Sequence, residues 1–363
     1  MICRDCDIAV HLYEPGDGGL DRVAILLANG FAARGLATEL WLTRADGPVR
    51  HLVAPDVRVR LVPAKTSNRS LALALQVPAL RRMVRSVNPL VLISAGNQSN
   101  LPVALACRGT ATAAVAKITN PIDRPCASRR SAAMRRARFG MTARLSRLTL
   151  ALSEADAHRY RCWYPRASIA AVRNPYVTDA MCAAPGQGTR DAVPTLVSLG
   201  RLVAQKDHVT LLDALARLRD RAWRLDIVGD GPLRNAVAAR AAALGVADRI
   251  TFAGFQPDPL PWLKRADMLI VSSRWEGLPA APIEAMACGC SVVATDCAPG
   301  LTDLLTTAGL PHPTPVGDAA ALAAAIAAEL DSPRDSAALK AVAAPFTIDA
   351  SVDDHLRLLR PFL

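Results

Sequence analysis

The sequence predicts an α/β protein with two domains, each containing a doubly wound parallel sheet. With 363 residues, the chain is long enough for two cores of ordinary size. Short apolar runs typical of buried strands alternate with segments of helical periodicity, and this alternation occurs in both halves of the chain. Residues 176–194 hold several Gly and Pro residues, which is typical of a linker between domains.

The first half shows a regular succession of strands and helices. Strand-like runs occur at 7–13, 38–42, 57–62, 90–94, 114–118 and 148–153, and helical patterns at 20–34 and 71–87. A glycine-rich turn joins the first strand to the first helix, and such a turn lets the backbone approach a phosphate closely. We assign residues 1–175 to the first domain.

The second half repeats the pattern. Strands are predicted at 195–200, 224–228, 250–255, 268–271 and 291–296. An alanine-rich helix begins near Asp318, and the chain ends in a further helical pattern. We assign residues 195–345 to the second domain and residues 346–363 to a C-terminal helix.

One stretch of the second half places two carboxylates around a strand-to-helix junction. The strand at 268–271 is followed by a loop, and Pro279 favours a helix start because the first helical turn does not use its missing N–H. Glu276 therefore lies in the loop, and Glu284 lies inside the helix, which Gly289 ends. The free N–H groups of a helix start attract anions, whereas carboxylates there accept hydrogen bonds from sugar hydroxyls.

This stretch resembles the signature of retaining glycosyltransferases of the family 4 type. Glu276 and Glu284 are spaced as E-x7-E, with Gly277 and Leu278 between them. The resemblance implies the GT-B fold: two Rossmann-like doubly wound domains that face a central cleft, with the C-terminal helix returning to the first domain. It also implies that Gly277, Leu278 and Glu284 contact the donor and that Glu276 is catalytic. Taken alone, either glutamate would be a solvated surface acid.

A second motif resembles the same family. Residues 200–206 match its G-R-L-x-x-x-K, in which Arg201 and Lys206 would clamp the donor diphosphate. The chemistry agrees, because the bond that breaks releases a nucleoside diphosphate and two fixed cations would stabilise the developing charge. Arginine offers a planar fork and lysine a point charge. The alternative is that both are solvated loop cations.

Further candidates follow from weaker matches. Gly18 and Gly19 resemble the family's G-G-x-E-R-V and would lie near the donor phosphate and acceptor, although a plain tight turn explains them too. Gly229 follows a strand, and Phe255 lies in a loop that the family places beside the nucleobase. Thr119 and its neighbour stand where the family often has a donor-contacting His, which puts that role in doubt.

The charge is unevenly distributed. The whole chain carries +11, and residues 1–185 carry 26 Lys and Arg against 12 Asp and Glu, so the remainder is mildly acidic. Arg124–Arg147 holds eight arginines and no acid, and residues 132–145 predict a basic amphipathic helix. The basic half suits an anionic membrane surface or a phosphorylated acceptor, and no nucleic-acid motif is present. A solvated helix is the alternative.

The family resemblance implies a hexosyltransferase that moves a sugar, with retention, from a UDP- or GDP-linked donor to a glycan or lipid-linked acceptor in cell-surface polysaccharide synthesis. The resemblance implies that no metal or other cofactor is needed, and the sequence is consistent with this because it holds no His/Cys cluster with metal-ligand spacing. With no apolar run of membrane-spanning length and no signal-peptide pattern, we expect a cytoplasmic protein, peripheral on the inner face of the plasma membrane. A nucleotide-sugar epimerase and a non-catalytic partner of a sister transferase are the alternatives.

Overall fold

The computed structural model describes residues 6–16, 18–64, 66–125, 128–184 and 193–363. The chain divides into two compact units. The first unit comprises the residues up to Pro175 together with Ile348–Leu363, and the second comprises Tyr176–Thr347. The middle of the predicted linker, 185–192, lies outside the described residues, and its first part, 176–184, belongs to the second unit.

The first unit is built on a sheet of parallel strands, seven among the described residues. The strands are β1 Ile8–Leu12, β2 Thr38–Leu42, β3 Arg58–Leu61, β4 Val91–Ser94, β5 Ala113–Lys117, β6 Leu148–Ala151 and β7 Ile169–Ala171. Their order in the sheet is β3-β2-β1-β4-β5-β6-β7. The order reverses between β1 and β4, and ligands of open α/β sheets bind at such a switch point, beyond the carboxyl ends of the strands.

Helices cover both faces of this sheet. They are α1 Gly19–Ala33, α2 Arg69–Leu75, α3 Val77–Val87, α4 Asn100–Cys107, α5 Arg129–Leu145 and α6 Glu154–Trp163. The prediction of a single helix at 71–87 is wrong, because the helix is interrupted at Gln76 and forms α2 and α3 instead. Pro78 lies in the first turn of α3 and has no N–H for the preceding turn, and the Gln76 amide donates to the Val62 carbonyl at 2.7 Å.

The second unit repeats the plan around a smaller parallel sheet, with order β10-β9-β8-β11-β12 among the described residues. Its strands are β8 Thr195–Leu199, β9 Arg224–Val228, β10 Ile250–Gly254, β11 Met268–Val271 and β12 Ser291–Ala294. Its helices are α7 Asp179–Cys182, α8 His208–Ala216, α9 Arg234–Ala243, α10 Leu260–Arg265, α11 Ala280–Ala287, α12 Pro299–Thr307, α13 Ala319–Asp331 and α14 Ser336–Ala343. The order reverses between β8 and β11.

The last helix, α15 Ile348–Leu359, packs in the first unit, as predicted for the C-terminal helix. It lies against α1, where the rings of Phe31 and His355 are 6.3 Å apart and edge-on. A side chain at Gly30 would meet Val352 at 2.2 Å, so only glycine lets the two helices approach this closely. Among the described helices, none is both long enough and apolar enough to cross a membrane.

Candidate functional site

Two loops meet at the switch point of the second sheet. One follows β8 and runs through Arg201 and Lys206 to the start of α8, and the other follows β11 and leads to α11. Because β8 and β11 are adjacent parallel strands, both loops leave the same edge of the sheet. The two motifs that the sequence analysis singled out are therefore neighbours in this unit.

The loops bring two predicted catalytic residues into direct contact. The Lys206 ammonium lies 2.8 Å from Glu276 Oε1, and the Ser273 hydroxyl donates to the same oxygen at 2.9 Å. The Gln205 amide donates to Glu276 Oε2 at a longer 3.3 Å. Glu276 is only 8% exposed, so three donors fix a largely buried carboxylate.

Further hydrogen bonds hold the two loops together. The side-chain amide of Gln205 donates to the Trp275 carbonyl at 2.8 Å, and the backbone carbonyl of Gln205 accepts the backbone N–H of Arg274 at 2.7 Å. The Ser272 hydroxyl donates to the Lys206 carbonyl at 2.8 Å. Neither Gln205 nor Ser273 was predicted as a site residue from the sequence. Adjacency to Lys206 and Glu276 is their only signal in the sequence, and it does not reveal which loop each side chain reaches.

Asp207 follows Lys206 in a left-handed conformation, with φ of 45°. This region of backbone space disfavours most side chains, although Asp tolerates it better than most. Its carboxylate accepts from Arg274 Nε at 3.0 Å and from the Thr210 N–H, at the start of α8, at 3.4 Å. The residue thus turns the chain sharply after Lys206 and fixes the turn to both the opposite loop and the helix.

Glycines allow the loops after β8 and β9 to pack closely. Gly200 and Gly229 have φ of 145° and 143°, in the region that favours glycine. A Cβ on Gly229 would lie 2.0 Å from the Gly200 carbonyl oxygen, and a Cβ on Gly200 would lie 2.8 Å from Cε of Lys206. Backbone packing beneath Lys206 therefore explains Gly229, and its contact with a donor stays a prediction.

Two candidates are exposed. Arg201 is exposed, and its side chain forms no hydrogen bond or ion pair with any other described residue. Phe255 follows β10 and is 46% exposed. Both side chains are thus available to a ligand, but the chain does not itself hold Arg201 against Lys206.

The helix after the second loop begins and ends as predicted. Pro279 is its N-cap, no side chain caps its first N–H groups, and Gly289 follows its last turn with φ of 75°. The carbonyl of buried Leu278 accepts from the Tyr176 hydroxyl at 3.0 Å, whereas Gly277 is half-buried. Glu284 lies within α11 and is 8% exposed.

Buried thiols flank the two glutamates. Burial, with a smaller contribution from the Glu276 carboxylate, raises the pKa of Cys297 to about 12. Burial and then Glu284 raise the pKa of Cys288 to about 11. Both thiols are therefore protonated near neutral pH and are poor nucleophiles or metal ligands there.

The glycine-rich turn lies in the first unit. Gly18 is the N-cap of α1, and its carbonyl accepts the Asp21 N–H at 3.0 Å. A Cβ on Gly19 would meet nothing within 4 Å, so no protein contact demands a glycine there. At the position of the family's His, Thr119 donates its N–H to Asn97 Oδ1 at 2.8 Å, which fixes this loop without an imidazole.

The basic segment forms α5, a longer helix than the predicted 132–145. Its buried residues lie in its second half, whereas Met134 and Met141 are 73% and 49% exposed. Arg135 donates to the Ile122 and Arg124 carbonyls, and Arg138 donates to the Gln98 carbonyl, so these two arginines are not free members of a basic surface. Arg136 is exposed but stacks over the Trp163 ring at 5.1 Å. The remaining exposed arginines and methionines of the helix are Arg129, Arg130, Met134, Met141 and Arg144.

In the part of the chain that the structure describes, no group of three His, Cys, Asp or Glu side chains is placed to hold a metal ion. The absence of such a group does not test the expected independence from metal, which stays a prediction.

Comparison with known proteins agrees with the geometry of the second unit. Residues 193–332 match a family model described as "Glycosyl transferases group 1". The chain is 39% identical over 111 residues to the Vi polysaccharide biosynthesis protein VipC/TviE of Salmonella typhi, which covers 30% of the chain and 19% of that protein. It is 30% identical over 143 residues to a lipopolysaccharide 1,6-galactosyltransferase of Salmonella typhimurium, which covers 38% of the chain and 39% of the relative. The chain thus matches well under half the length of these relatives.

Solved structures match almost the whole chain. Sucrose-phosphate synthase from Thermosynechococcus elongatus superposes with a TM-score of 0.81 at 19% identity over 98% of both chains. HepE of Anabaena, solved with UDP and glucose, superposes with a TM-score of 0.78 at 19% identity over 98% of this chain and all of that one. At this identity the likeness concerns the fold. The chain therefore has the GT-B fold, and its second unit carries the region similar to group 1 glycosyl transferases.

Proposed function

We propose that this protein is a retaining glycosyltransferase of the family 4 type that transfers a hexose from a UDP- or GDP-linked donor to a glycan or lipid-linked acceptor. The contact between Lys206 and Glu276 at the switch point carries the proposal. It joins the two motifs that the resemblance assigns to donor chemistry. Both motifs lie within residues 193–332, the region similar to group 1 glycosyl transferases.

Stabilisation of the leaving group is the main catalytic task in this proposal. When the sugar–phosphate bond breaks, negative charge develops on the nucleoside diphosphate, and a preorganised cation stabilises that charge most in the transition state. Lys206 is held in place by Glu276 and the strained turn at Asp207. Arg201, which has no protein partner among the described residues, would add a bidentate fork. Stabilisation of the leaving group by these two cations requires neither a metal ion nor a covalent nucleophile.

The two glutamates would recognise hydroxyl groups. Glu276 Oε1 already accepts from Lys206 and Ser273, but Oε2 accepts only one long bond from Gln205. A carboxylate oxygen has two acceptor sites, so Oε2 can accept a sugar hydroxyl. Glu284 would bind the ribose, and the uncapped N–H groups of α11 would face the diphosphate.

The names of several relatives support a role in cell-surface polysaccharide synthesis. One is a transferase that acts on a diphospho-undecaprenol-linked sugar in Campylobacter jejuni, and one is a lipopolysaccharide core glycosyltransferase of Rhizobium meliloti. Lipid-linked acceptors would place the enzyme at the cytoplasmic face of the plasma membrane.

Donor hydrolysis tests the proposal without knowledge of the acceptor. The protein is incubated in water with a panel of UDP- and GDP-sugars, and product is followed by proton NMR, which also reports the anomer released first. Slow hydrolysis of one donor, with the α-anomer of an α-donor formed first, is the expected result. Formation of an epimeric nucleotide sugar would favour the epimerase. If no donor is hydrolysed and calorimetry detects no nucleotide binding, the non-catalytic partner would be favoured.

Attachment to an anionic membrane through α5 is a separate part of the proposal. Each exposed arginine near an anionic surface contributes about 1 kcal/mol, and the exposed Met134 and Met141 add apolar contact. The protein should sediment with phosphatidylglycerol vesicles at low salt, stay free with phosphatidylcholine vesicles, and be released at high salt. Replacing Arg129, Arg130 and Arg144 by Gln should abolish sedimentation. Wild-type protein that ignores anionic vesicles at low salt would remove the membrane from the proposal.

A further inference from the structure

Two arginines lie over one buried tyrosine at the carboxyl edge of the first sheet. Cζ of Arg69 is 4.8 Å from the centroid of the Tyr13 ring, and that of Arg44 is 5.9 Å away. Tyr13 directly follows β1, Arg44 follows β2, and Arg69 begins α2, the helix after β3. These strands are adjacent and parallel, so all three side chains come from one edge of the sheet, beside its switch point.

The hydrogen-bond donors of both guanidinium groups are mostly unused. Glu14 is their nearest carboxylate, but its oxygens lie 4.0 Å from Arg44 Nε and 3.9 Å from a terminal nitrogen of Arg69, too far for hydrogen bonds. Arg44 makes one long contact of 3.5 Å to the Ser67 carbonyl, and Arg69 donates to no other described residue. In a satisfied pair of the second unit, by contrast, Arg221 donates twice to Asp331 at 2.7 and 2.9 Å.

Two of the unused polar groups are buried. Arg69 Nε and the Tyr13 hydroxyl are shielded from water and have no hydrogen-bond partner among the described residues. An unpaired buried donor destabilises the free protein, and a ligand oxygen that accepts its hydrogen bond would remove that cost. Because Tyr13 is only 4% exposed, its ring cannot serve as a stacking platform for a sugar. The site therefore offers N–H donors.

This donor set suits an oxyanion. A guanidinium is a planar fork that binds phosphate or carboxylate through two parallel hydrogen bonds, and stacking on a ring fixes its plane. Two arginines against one Glu14 leave the site positive, within the basic half of the chain. We propose that Arg44 and Arg69, with Tyr13 beneath them, bind a phosphate-type group on the acceptor. That the bound molecule is the acceptor rests on the proposed function, whereas the existence of the anion site does not.

Arginine footprinting tests the site directly. The whole protein is treated with phenylglyoxal at constant ionic strength, with and without inorganic phosphate, and modification of each arginine is followed by peptide mass spectrometry. At a phosphate concentration of about ten times the dissociation constant, Arg44 and Arg69 should react about tenfold more slowly, because about nine tenths of the sites are filled. Arg82, exposed on α3 of the same unit, is the control and should react at an unchanged rate.

A second arm identifies the source of the phosphate group. Vesicles of phosphatidylglycerol replace inorganic phosphate, with phosphatidylcholine vesicles as the control. Protection by inorganic phosphate supports recognition of the group itself, and protection by phosphatidylglycerol alone supports a lipid-borne phosphate. Protection in neither arm, or equal slowing at Arg82, overturns the proposal and leaves the stack a purely structural contact.

A conservative variant separates charge from geometry. Arg69→Lys keeps the charge but lacks the fork, so phosphate should protect Arg44 at least about threefold less well than in the wild type. Arg82→Gln should leave protection of Arg44 unchanged. Donor hydrolysis by the wild type keeps the two proposals apart: protection without hydrolysis would sink the enzymatic proposal alone, and hydrolysis without protection would sink the anion site alone.

Discussion

The two sheets share the strand order around their switch points, yet the edges that bear the loops differ in how their polar groups are paired. In the second unit, Glu276 accepts from three donors and Asp207 from two. In the first unit, the Tyr13 hydroxyl, Arg69 Nε and both ring nitrogens of His11 are buried without a hydrogen-bond partner among the described residues.

This difference separates two kinds of site. A carboxylate such as Glu276, whose donors lie on both loops, is already held in one geometry, which suits chemistry that stays the same for every donor and every turnover. Unpaired donors lower the stability of the free protein and are satisfied when a ligand binds, which suits recognition of one particular partner. If the proposed function and the proposed anion site are right, the second edge is a preformed reaction site, and the first is a site that a ligand completes.

Acid should separate the stabilities of the two units most strongly. Burial lowers the pKa of His11 to about 4 and lowers the pKa of His355 well below its usual range. In the second unit, burial lowers the pKa of His208 to about 4. Between about pH 6.5 and 4, the unfolded chain therefore binds more protons than the folded one. Unfolding free energy should fall by about 1.4 kcal/mol per pH unit for each such histidine.

The first unit, with two such histidines, should open first on acidification. Hydrogen exchange read by mass spectrometry should show β1 and β5 losing protection at a higher pH than β8 and β11. His11→Leu should flatten the pH dependence of the first unit, whereas replacing exposed His51 by Gln should not. If the second unit instead lost protection at the higher pH, the predicted order of acid stability of the two units would be wrong.

Removing a cation from the preformed edge should have the next largest effect. Lys206→Ala should lose about 2–4 kcal/mol of transition-state stabilisation, because one charge-stabilising donor is removed from a fixed position. Donor hydrolysis measured as kcat/KM checks this. Arg201→Ala should behave similarly, and the double variant should lose less than the sum because both cations serve one diphosphate. Turnover within threefold of the wild type for Lys206→Ala would contradict the assignment.

Substitution by alanine should destabilise the protein at Gly229 but have little effect at Gly19. Gly229→Ala forces an L side chain to a φ of 143° and against the Gly200 carbonyl, so unfolding should become easier by at least about 1–3 kcal/mol. Gly19→Ala enters open space, so stability should change by no more than about 1 kcal/mol. Urea denaturation measures both. Equal destabilisation would mean that packing, not ligand approach, explains Gly19.

Periodicity and loop chemistry predicted the fold because buried parallel strands are nearly continuous apolar runs, and β9 and β11 have the bounds that the sequence indicates. The helix break at Gln76 was missed, because the side chain that stabilises it bonds to a distant carbonyl. For the same reason, motif spacing placed Lys206 and Glu276 but not Gln205. The stack on Tyr13 joins two loops and the start of α2, which are far apart in the sequence, and so it has no local signal at all.

The smallest expected effect concerns recognition of the donor ribose. If Glu284 accepts hydrogen bonds from the ribose hydroxyls, Glu284→Gln should weaken nucleotide binding by about 1–2 kcal/mol, since bonds to a charged acceptor are stronger than bonds to an amide. Calorimetry with the nucleotide and its 2′-deoxy analogue checks the role. The wild type should prefer the ribonucleotide, and the variant should discriminate little. Glu329→Gln alters a glutamate of the same unit that is 2% exposed against 8% for Glu284 and pairs with Ser291 and Arg334, and it should keep the wild-type preference. The same preference in wild type and Glu284→Gln would assign the ribose contact to another residue of the preformed edge.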